Sequence, residues 1–208
     1  MSSRQSVVVA LVVALSTGVV ENGAGQVTDP CNMSATSAAG VLFACPQGDG
    51  DRLDANGLTV TVTVRDNVNA PVPGILPEDI WLIGCNNLLA LCGGSAAINA
   101  SGPTDANGQT TIIEQFAVGG CDLDGVRAVV MGIAVGAGVC ADPCLPIKVK
   151  SADLSNNLVV NLVDFAMFGA DYPSPPKPYN ECLDYVAPFG TVTLADYAKY
   201  GVHSGHTC

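Results

Sequence analysis

Positive charge is scarce in this chain: eight lysines and arginines stand against nineteen aspartates and glutamates, for a formal net charge of −11. That balance excludes the electrostatic footprint needed for nucleic acid or anionic lipid. Histidine is scarcer still, with only His203 and His206, both within the last six residues. A Ser-His-Asp or Cys-His centre would therefore need the tail to fold back over the rest of the chain. No Gly-x-Ser-x-Gly, phosphate-cradling glycine loop or HExxH is present. The acidic pairs Glu78/Asp79 and Asp122/Asp124 lie among turn residues and read as solvated carboxylates. The chain is thus expected not to be an enzyme. Aromatics make up 5% of residues, with a single tryptophan, which leaves a poor platform for a carbohydrate-binding accessory domain.

Long apolar runs are also missing, except at the start. Arg4 precedes "SVVVALVVALSTGVV" (6–20), and small residues follow in "ENGAGQ", with a cleavage point near Ala24 or Gly25. Residues 1–25 are therefore expected to be a signal peptide. A membrane anchor is the competing reading, but the run falls short of the roughly 20 apolar residues a span requires. Export without membrane insertion places the product outside the cell or on its surface. There the acidity serves solubility or the collection of divalent cations.

Nine cysteines follow: Cys31, Cys45, Cys85, Cys92, Cys121, Cys140, Cys144, Cys182 and Cys208. In an exported chain, disulfides are the default. Order along the chain does not fix the pairing; Cys31–Cys45, Cys85–Cys92 and Cys182–Cys208 are the pairs expected. The odd number leaves at least one thiol free, shared between chains or lost to processing. A zinc site built from Cys140-x-x-x-Cys144, or from His203 and His206 near Cys208, competes with the disulfides, although no CxxC pair supports it.

Residues 35 to about 149 read as short strands cut by turns. In "LTVTVTVRD" (58–66), Leu58, Val60, Val62 and Val64 alternate with Thr59, Thr61, Thr63 and Arg65. This period of two marks a strand with one buried face. "NAPVPG" forces a turn, "EDIWLIGC" supplies the next strand, and "TDANGQTTIIEQFAV" opens on an Asx/Gly turn. "GVRAVVMGIAV" closes the set. Strands at such spacing, with no helical period between them, predict a sandwich. "VTVTVRDNVNAPVPGI" followed by "TDANGQTT" resembles the immunoglobulin-like domains of bacterial surface proteins over roughly residues 33–148. The resemblance implies a structural or adhesive module spanning 26–148. Its N-terminal segment, "VTDPCNMSATSA", is expected to be available to add a strand to a neighbour.

The C-terminal part, 149–208, contains a repeat. "VNLVDFAMFG" (160–169) aligns with "VTLADYAKYG" (192–201) at an offset of 32 residues, with five identities in ten. Phe165 and Phe168 match Tyr197 and Tyr200, each pair three apart on one helical face. Two such stripes packed together close a small core that neither closes alone. Before the first copy stands "DLSNNLVVNLVD" (153–164), with oxygen-bearing side chains at places one, three, five, nine and twelve of a twelve-residue loop. Leu158 occupies the sixth place, where an EF-hand loop needs glycine. A polar turn capping a helix competes with a metal loop here. Between the copies, "YPSPPKPYN" (172–180) reads as a stiff polyproline spacer.

This pair of loop-helix units resembles the dockerin family, whose calcium loops end in aspartate and whose helices dock a cohesin receptor. The resemblance implies calcium held by Asp153, Ser155, Asn157, the Val159 carbonyl, Asn161 and Asp164. Only two formal charges face the ion, which predicts weak affinity, about 10⁻⁴–10⁻³ M. In the second copy, Tyr185, Ala187 and Phe189 replace the early ligands, so that loop is expected to have lost its metal. Asp184 fits only if the loop carries an extra residue.

The whole chain is thus expected to be mainly β, an immunoglobulin-like β-sandwich with a small C-terminal α-helical dockerin-like module. The expected function is a secreted, non-catalytic, calcium-binding cohesion protein, self-assembling into a filament or docking a cohesin-like receptor on a cell-surface scaffold.

Overall fold

A computed structural model describes residues 27–136, 140, 144–172 and 178–208. The expected signal segment 1–25 and the centre of the proline-rich spacer, 173–177, lie outside the described residues. The described chain is mostly β, with ten short strands in three sheets and two short helices.

The first sheet orders β1 (Ser34–Thr36), β3 (Val60–Thr63) and β6 (Gln109–Ile112). The alternation of 58–64 is obeyed, with Leu58, Val60, Val62 and Val64 buried and the threonines between them only partly covered. The Asx turn before β6 is built as its residues predict: Asp105 Oδ1 accepts from the amides of Asn107 and Gln109, each at 2.8 Å. β1 pairs antiparallel with β3 of its own chain, Ser34 opposite Thr63. The N-terminal segment is thus not unpaired: one edge of β1 is taken by β3, and β1 forms the outer edge of its sheet.

A second sheet orders β4 (Ile80–Gly84), β8 (Val126–Val130) and β9 (Ile133–Ala134). The third orders β2 (Gly40–Ala44), β10 (Ile147–Ser151), β7 (Val118–Asp122) and β5 (Leu89–Leu91). Within it β2 and β10 run parallel, Leu42 opposite Val149, while all other named strand pairs are antiparallel. β10 extends to Ser151, so the sheet runs past residue 148 into the C-terminal part.

β2 and the strand beside it, β10, form a wall between two cores. Leu42, Ala44, Ile147 and Val149 point into the main apolar cluster with Val60, Ile80, Ile112 and Phe116. Phe43 and Cys45 point the other way, into a second cluster with Ala152, Val160, Phe168, Leu183, Tyr185, Val192 and Tyr200. Period-two geometry makes this possible, since successive side chains leave opposite faces. The two helices, α1 (Leu162–Asp171) and α2 (Leu194–Gly201), lie over that second cluster. No described helix is long and apolar enough to cross a membrane.

Four disulfides close this arrangement: Cys31–Cys140, Cys85–Cys144, Cys92–Cys208 and Cys121–Cys182. The nearest-neighbour pairings expected from the sequence, Cys31–Cys45, Cys85–Cys92 and Cys182–Cys208, are thus wrong. Proximity in sequence did not decide partners, because the sheets bring together cysteines 59 to 116 residues apart. Cys92–Cys208 and Cys121–Cys182 staple the helical part onto the sheets rather than closing it on itself. Cys140 and Cys144 are both oxidised, which removes them from any zinc set. Cys45 alone stays a thiol, and it is buried.

Four intramolecular bridges and a solitary internal thiol make a direct mass test. Alkylation in denaturant without reductant should add one label per chain, on Cys45, with eight more appearing only after reduction. Intact mass and peptide mapping check this, and two or more labels before reduction would contradict the pairing.

Candidate functional site

Both C-terminal repeats fold into the same local structure. At the start of α1, Asn161 accepts from Val163 N at 2.7 Å, while Asp164 Oδ2 accepts from Asn161 N at 2.8 Å. At the start of α2, Thr193 accepts from Ala195 N at 3.2 Å and Asp196 Oδ2 accepts from Thr193 N at 2.7 Å. Each is a reciprocal capping box. The second oxygen of each aspartate reaches back to its own loop: Asp164 Oδ1 takes Ser155 N at 2.7 Å, and Asp196 Oδ1 takes Tyr185 N at 2.6 Å and Val186 N at 2.8 Å. The aspartates are fully buried and tie loop to helix.

The first loop brings together all the residues expected to hold calcium. Asp153 Oδ1 accepts from Ser155 Oγ at 3.2 Å and Asn157 N at 3.2 Å, and its Oδ2 accepts from Leu158 N at 2.6 Å. Asn157 Oδ1 accepts from Val159 N, and the Val159 carbonyl accepts from Asn161 Nδ2 at 3.2 Å. Leu158 makes the turn at φ 67°, the left-handed region that glycine enters freely and a leucine enters only under strain. Asp153 and Asp164 are both buried, and among the described residues neither forms an ion pair. Burial, with the Asp164 charge adding to it, raises the Asp153 carboxyl above its ordinary range.

The second loop differs by the extra residue anticipated for it. Asp184 stands twelve positions before Asp196, against eleven between Asp153 and Asp164. Asp184 Oδ2 accepts from Gly190 N at 2.6 Å, as Asp153 does from Leu158, and also from the Tyr179 hydroxyl at 2.6 Å. Gly190, at φ 111°, supplies the turn. A cation built into the chain serves this loop. The buried Lys150 Nζ donates to the Asp184 carbonyl at 2.7 Å, lies 5.0 Å from the centre of the Phe189 ring and is 3.9 Å from Glu181. Burial holds the Lys150 ammonium below its ordinary pKa.

Between the helices, Phe168 stacks on Tyr200 with centroids 5.3 Å apart, and both are buried. This is the face-to-face packing the repeat predicted. The other aromatic pair, Phe165 and Tyr197, stays 44% and 43% exposed with centroids 6.3 Å apart. With Gly169, Tyr172 and Leu194 they line a shallow apolar groove.

Sequence reasoning missed one constellation. The tail folds back and carries His203 and His206 to the end of β2, where Cys45 and Asp49 lie. Asp49 Oδ1 is 3.4 Å from His203 Nδ1, and its Oδ2 is 3.1 Å from His206 Nδ1. Cys45 Sγ is 3.4 Å from His206 Nδ1. Burial pushes the Cys45 thiol up to about 12 and holds His203 below its ordinary value. Burial alone would raise Asp49, but the Cys45 hydrogen bond and the two imidazoles outweigh it and hold the carboxyl low. The odd cysteine count and the closely spaced histidines were the available signals. Only the fold joins them.

No protein-family model and no curated protein matches the chain. Among solved structures it is similar to the Lin-41 filamin domain, over 59% of this chain and 96% of that one, at 10% identity and a TM-score of 0.30. At that score, the mainly β architecture stands on its own strand pairing.

Each buried capping aspartate satisfies at least two backbone amides, so its removal should be costly. Asp164→Ala and Asp196→Ala are each expected to lose about 2–4 kcal/mol in urea unfolding, combining cap loss with stranded amides. A loss below about 0.5 kcal/mol would show that the loops do not depend on these contacts.

Proposed function

We propose that the protein is a secreted, non-catalytic cohesion module. In this reading an immunoglobulin-like sandwich carries a dockerin-like, calcium-stabilised loop-helix pair that docks another protein. The observation that carries it is a repeat-related apolar patch. Leu162 and Phe165 on α1 and their equivalents Leu194 and Tyr197 on α2 are all exposed, the two leucines at 81% and 74%. Clustered exposed apolar residues on a rigid element mark an interaction surface more often than chance. The occupant we assign is a different chain, with an apolar ridge and basic flanks, rather than a second copy. Two copies each carrying −11 repel. The disulfides suit an oxidising compartment.

Calcium belongs to the first loop in this reading. Two buried carboxylates without a counter-cation, Ser155 Oγ, Asn157 Oδ1, Asn161 Oδ1 and the Val159 carbonyl form an all-oxygen set. A carboxylate offers about four acceptor sites, so the amide bonds leave Asp153 and Asp164 room for an ion. In the second loop, Lys150 takes the place of a metal. Catalysis is disfavoured by the Cys45 cluster itself. A nucleophilic cysteine needs access and a lowered pKa, whereas Cys45 is buried and its thiol is raised to about 12. A triad also engages the two ring nitrogens of histidine separately, whereas His206 Nδ1 faces both Cys45 and Asp49.

Two measurements test the reading. Calcium at 10 mM is expected to stabilise the wild type by about 1.4–2.7 kcal/mol over chelator, for a dissociation constant of 10⁻³–10⁻⁴ M. Asp153→Asn should abolish most of that gain, and an unchanged response in the variant would remove calcium from this loop. For docking, immobilised wild type should retain an envelope protein at least about tenfold better than Phe165→Ala or Tyr197→Ala. The free chain should sediment as a monomer. Retention insensitive to both substitutions, or self-association through this face, would overturn the assignment.

A further inference from the structure

The cluster at the end of β2 has the composition and shape of a transition-metal site. Cys45 Sγ, one Asp49 oxygen and one nitrogen from each of His203 and His206 all lie within 4.8 Å of one another. For zinc bonds of about 2.0–2.1 Å to nitrogen or oxygen and 2.3 Å to sulfur, tetrahedral geometry puts neighbouring donors about 3.3–3.6 Å apart. Three separations fall near that range: 3.1 Å from Asp49 Oδ2 to His206, 3.4 Å from Asp49 Oδ1 to His203 and 3.4 Å from Cys45 to His206. The whole set lies within 4.8 Å, so small side-chain movements would draw four donors onto one ion.

A second observation points the same way. His203 is nine-tenths buried, and its Nδ1 faces Asp49 Oδ1 at 3.4 Å without the geometry of a hydrogen bond. A buried ring nitrogen held only by so loose a contact calls for an explanation. Four electron-pair donors converge here. A proton serves two of them at a time, whereas a metal ion serves all four.

We propose that Cys45, Asp49, His203 and His206 form a structural site for zinc or a similar borderline divalent ion, clipping the C-terminal tail to the sandwich. A thiolate, a carboxylate and two neutral imidazoles would balance a divalent cation, leaving no formal charge on a site whose Cys45 and His203 are buried and whose Asp49 faces solvent. Sulfur and nitrogen donors select this class over calcium, which takes oxygen. The ligands come as two short chelating pairs, Cys45-x-x-x-Asp49 and His203-x-x-His206, from segments more than 150 positions apart. The Cys92–Cys208 bridge already tethers the tail, and the ion would close the remaining shorter loop between β2 and the tail, restricting the unfolded chain further. The site also gives the ninth cysteine, buried among eight oxidised ones, a reason to stay reduced.

The full chain with its four disulfides intact, stripped with chelator, is titrated with cobalt(II) and then zinc(II). One cobalt per chain should bind with a sulfur-to-cobalt charge-transfer band and tetrahedral d–d absorption, both lost when zinc displaces it. Zinc should raise the melting temperature by about 5–10 °C. Cys45→Ser should lose the charge-transfer band, and His206→Ala should weaken binding by at least about tenfold. Asp153→Asn should leave the cobalt spectrum unchanged, which separates this site from the calcium loop. A wild type that binds no cobalt, binds it without the sulfur band, or keeps the band in Cys45→Ser would overturn the proposal. The wild-type titration decides the matter even if a variant fails to fold.

Discussion

The parallel contact between β2 and β10 is the constraint on which the rest depends. These strands lie more than 100 positions apart in the chain, and most of their residues are buried. One face closes the main core through Leu42, Ala44, Ile147 and Val149. The other offers Phe43 and Cys45 to the helices and directs Lys148 to Glu181 and Lys150 to Asp184. Two helices of ten and eight residues cannot bury enough surface alone. They borrow a wall from the sandwich. Tyr185 meets Phe43 edge-on at 5.0 Å, so the second cluster is shared property of both parts.

The same constraint explains the bridges. A disulfide within the helical unit would stabilise a body with half a core. Cys92–Cys208 and Cys121–Cys182 instead hold the unit against the wall that completes it. The C-terminal strand-like segment adds to this, with Val160 N donating to the His206 carbonyl and Cys208 N to the Leu158 carbonyl. That pairing carries both histidines to Cys45 and Asp49.

Within the repeats, carboxylates act first as scaffolds for backbone amides. Asp153, Asp164, Asp184 and Asp196 are all buried, and each accepts at least two hydrogen bonds from its own unit. Buried negative charge must be balanced. The two loops have diverged in how: Lys150 supplies an ammonium to the second, while the first has no counter-cation among the described residues. This division between repeats follows both from Lys150 on β10, which reaches the Asp184 carbonyl, and from the extra residue and lost polar side chains of the second loop.

What local chemistry dictates was legible along the chain. The alternation of 58–64, the Asx turn at Asp105, the loop-helix repeat at a fixed 32-residue offset and the turn forced at Leu158 are short-range consequences of side-chain type. They hold in the fold because the covalent spacing that encodes them also builds them. The cysteine pairing, the home partner of β1, the second face of β2 and the meeting of Cys45 and Asp49 with the two histidines were beyond the sequence alone. Each depends on which surfaces are left uncovered once the sheets close. A cysteine's partner is whichever thiol the topology brings within bonding distance, and a ligand set exists only when distant segments share a wall. Composition announced an odd thiol and two tail histidines, and tertiary packing alone made them neighbours.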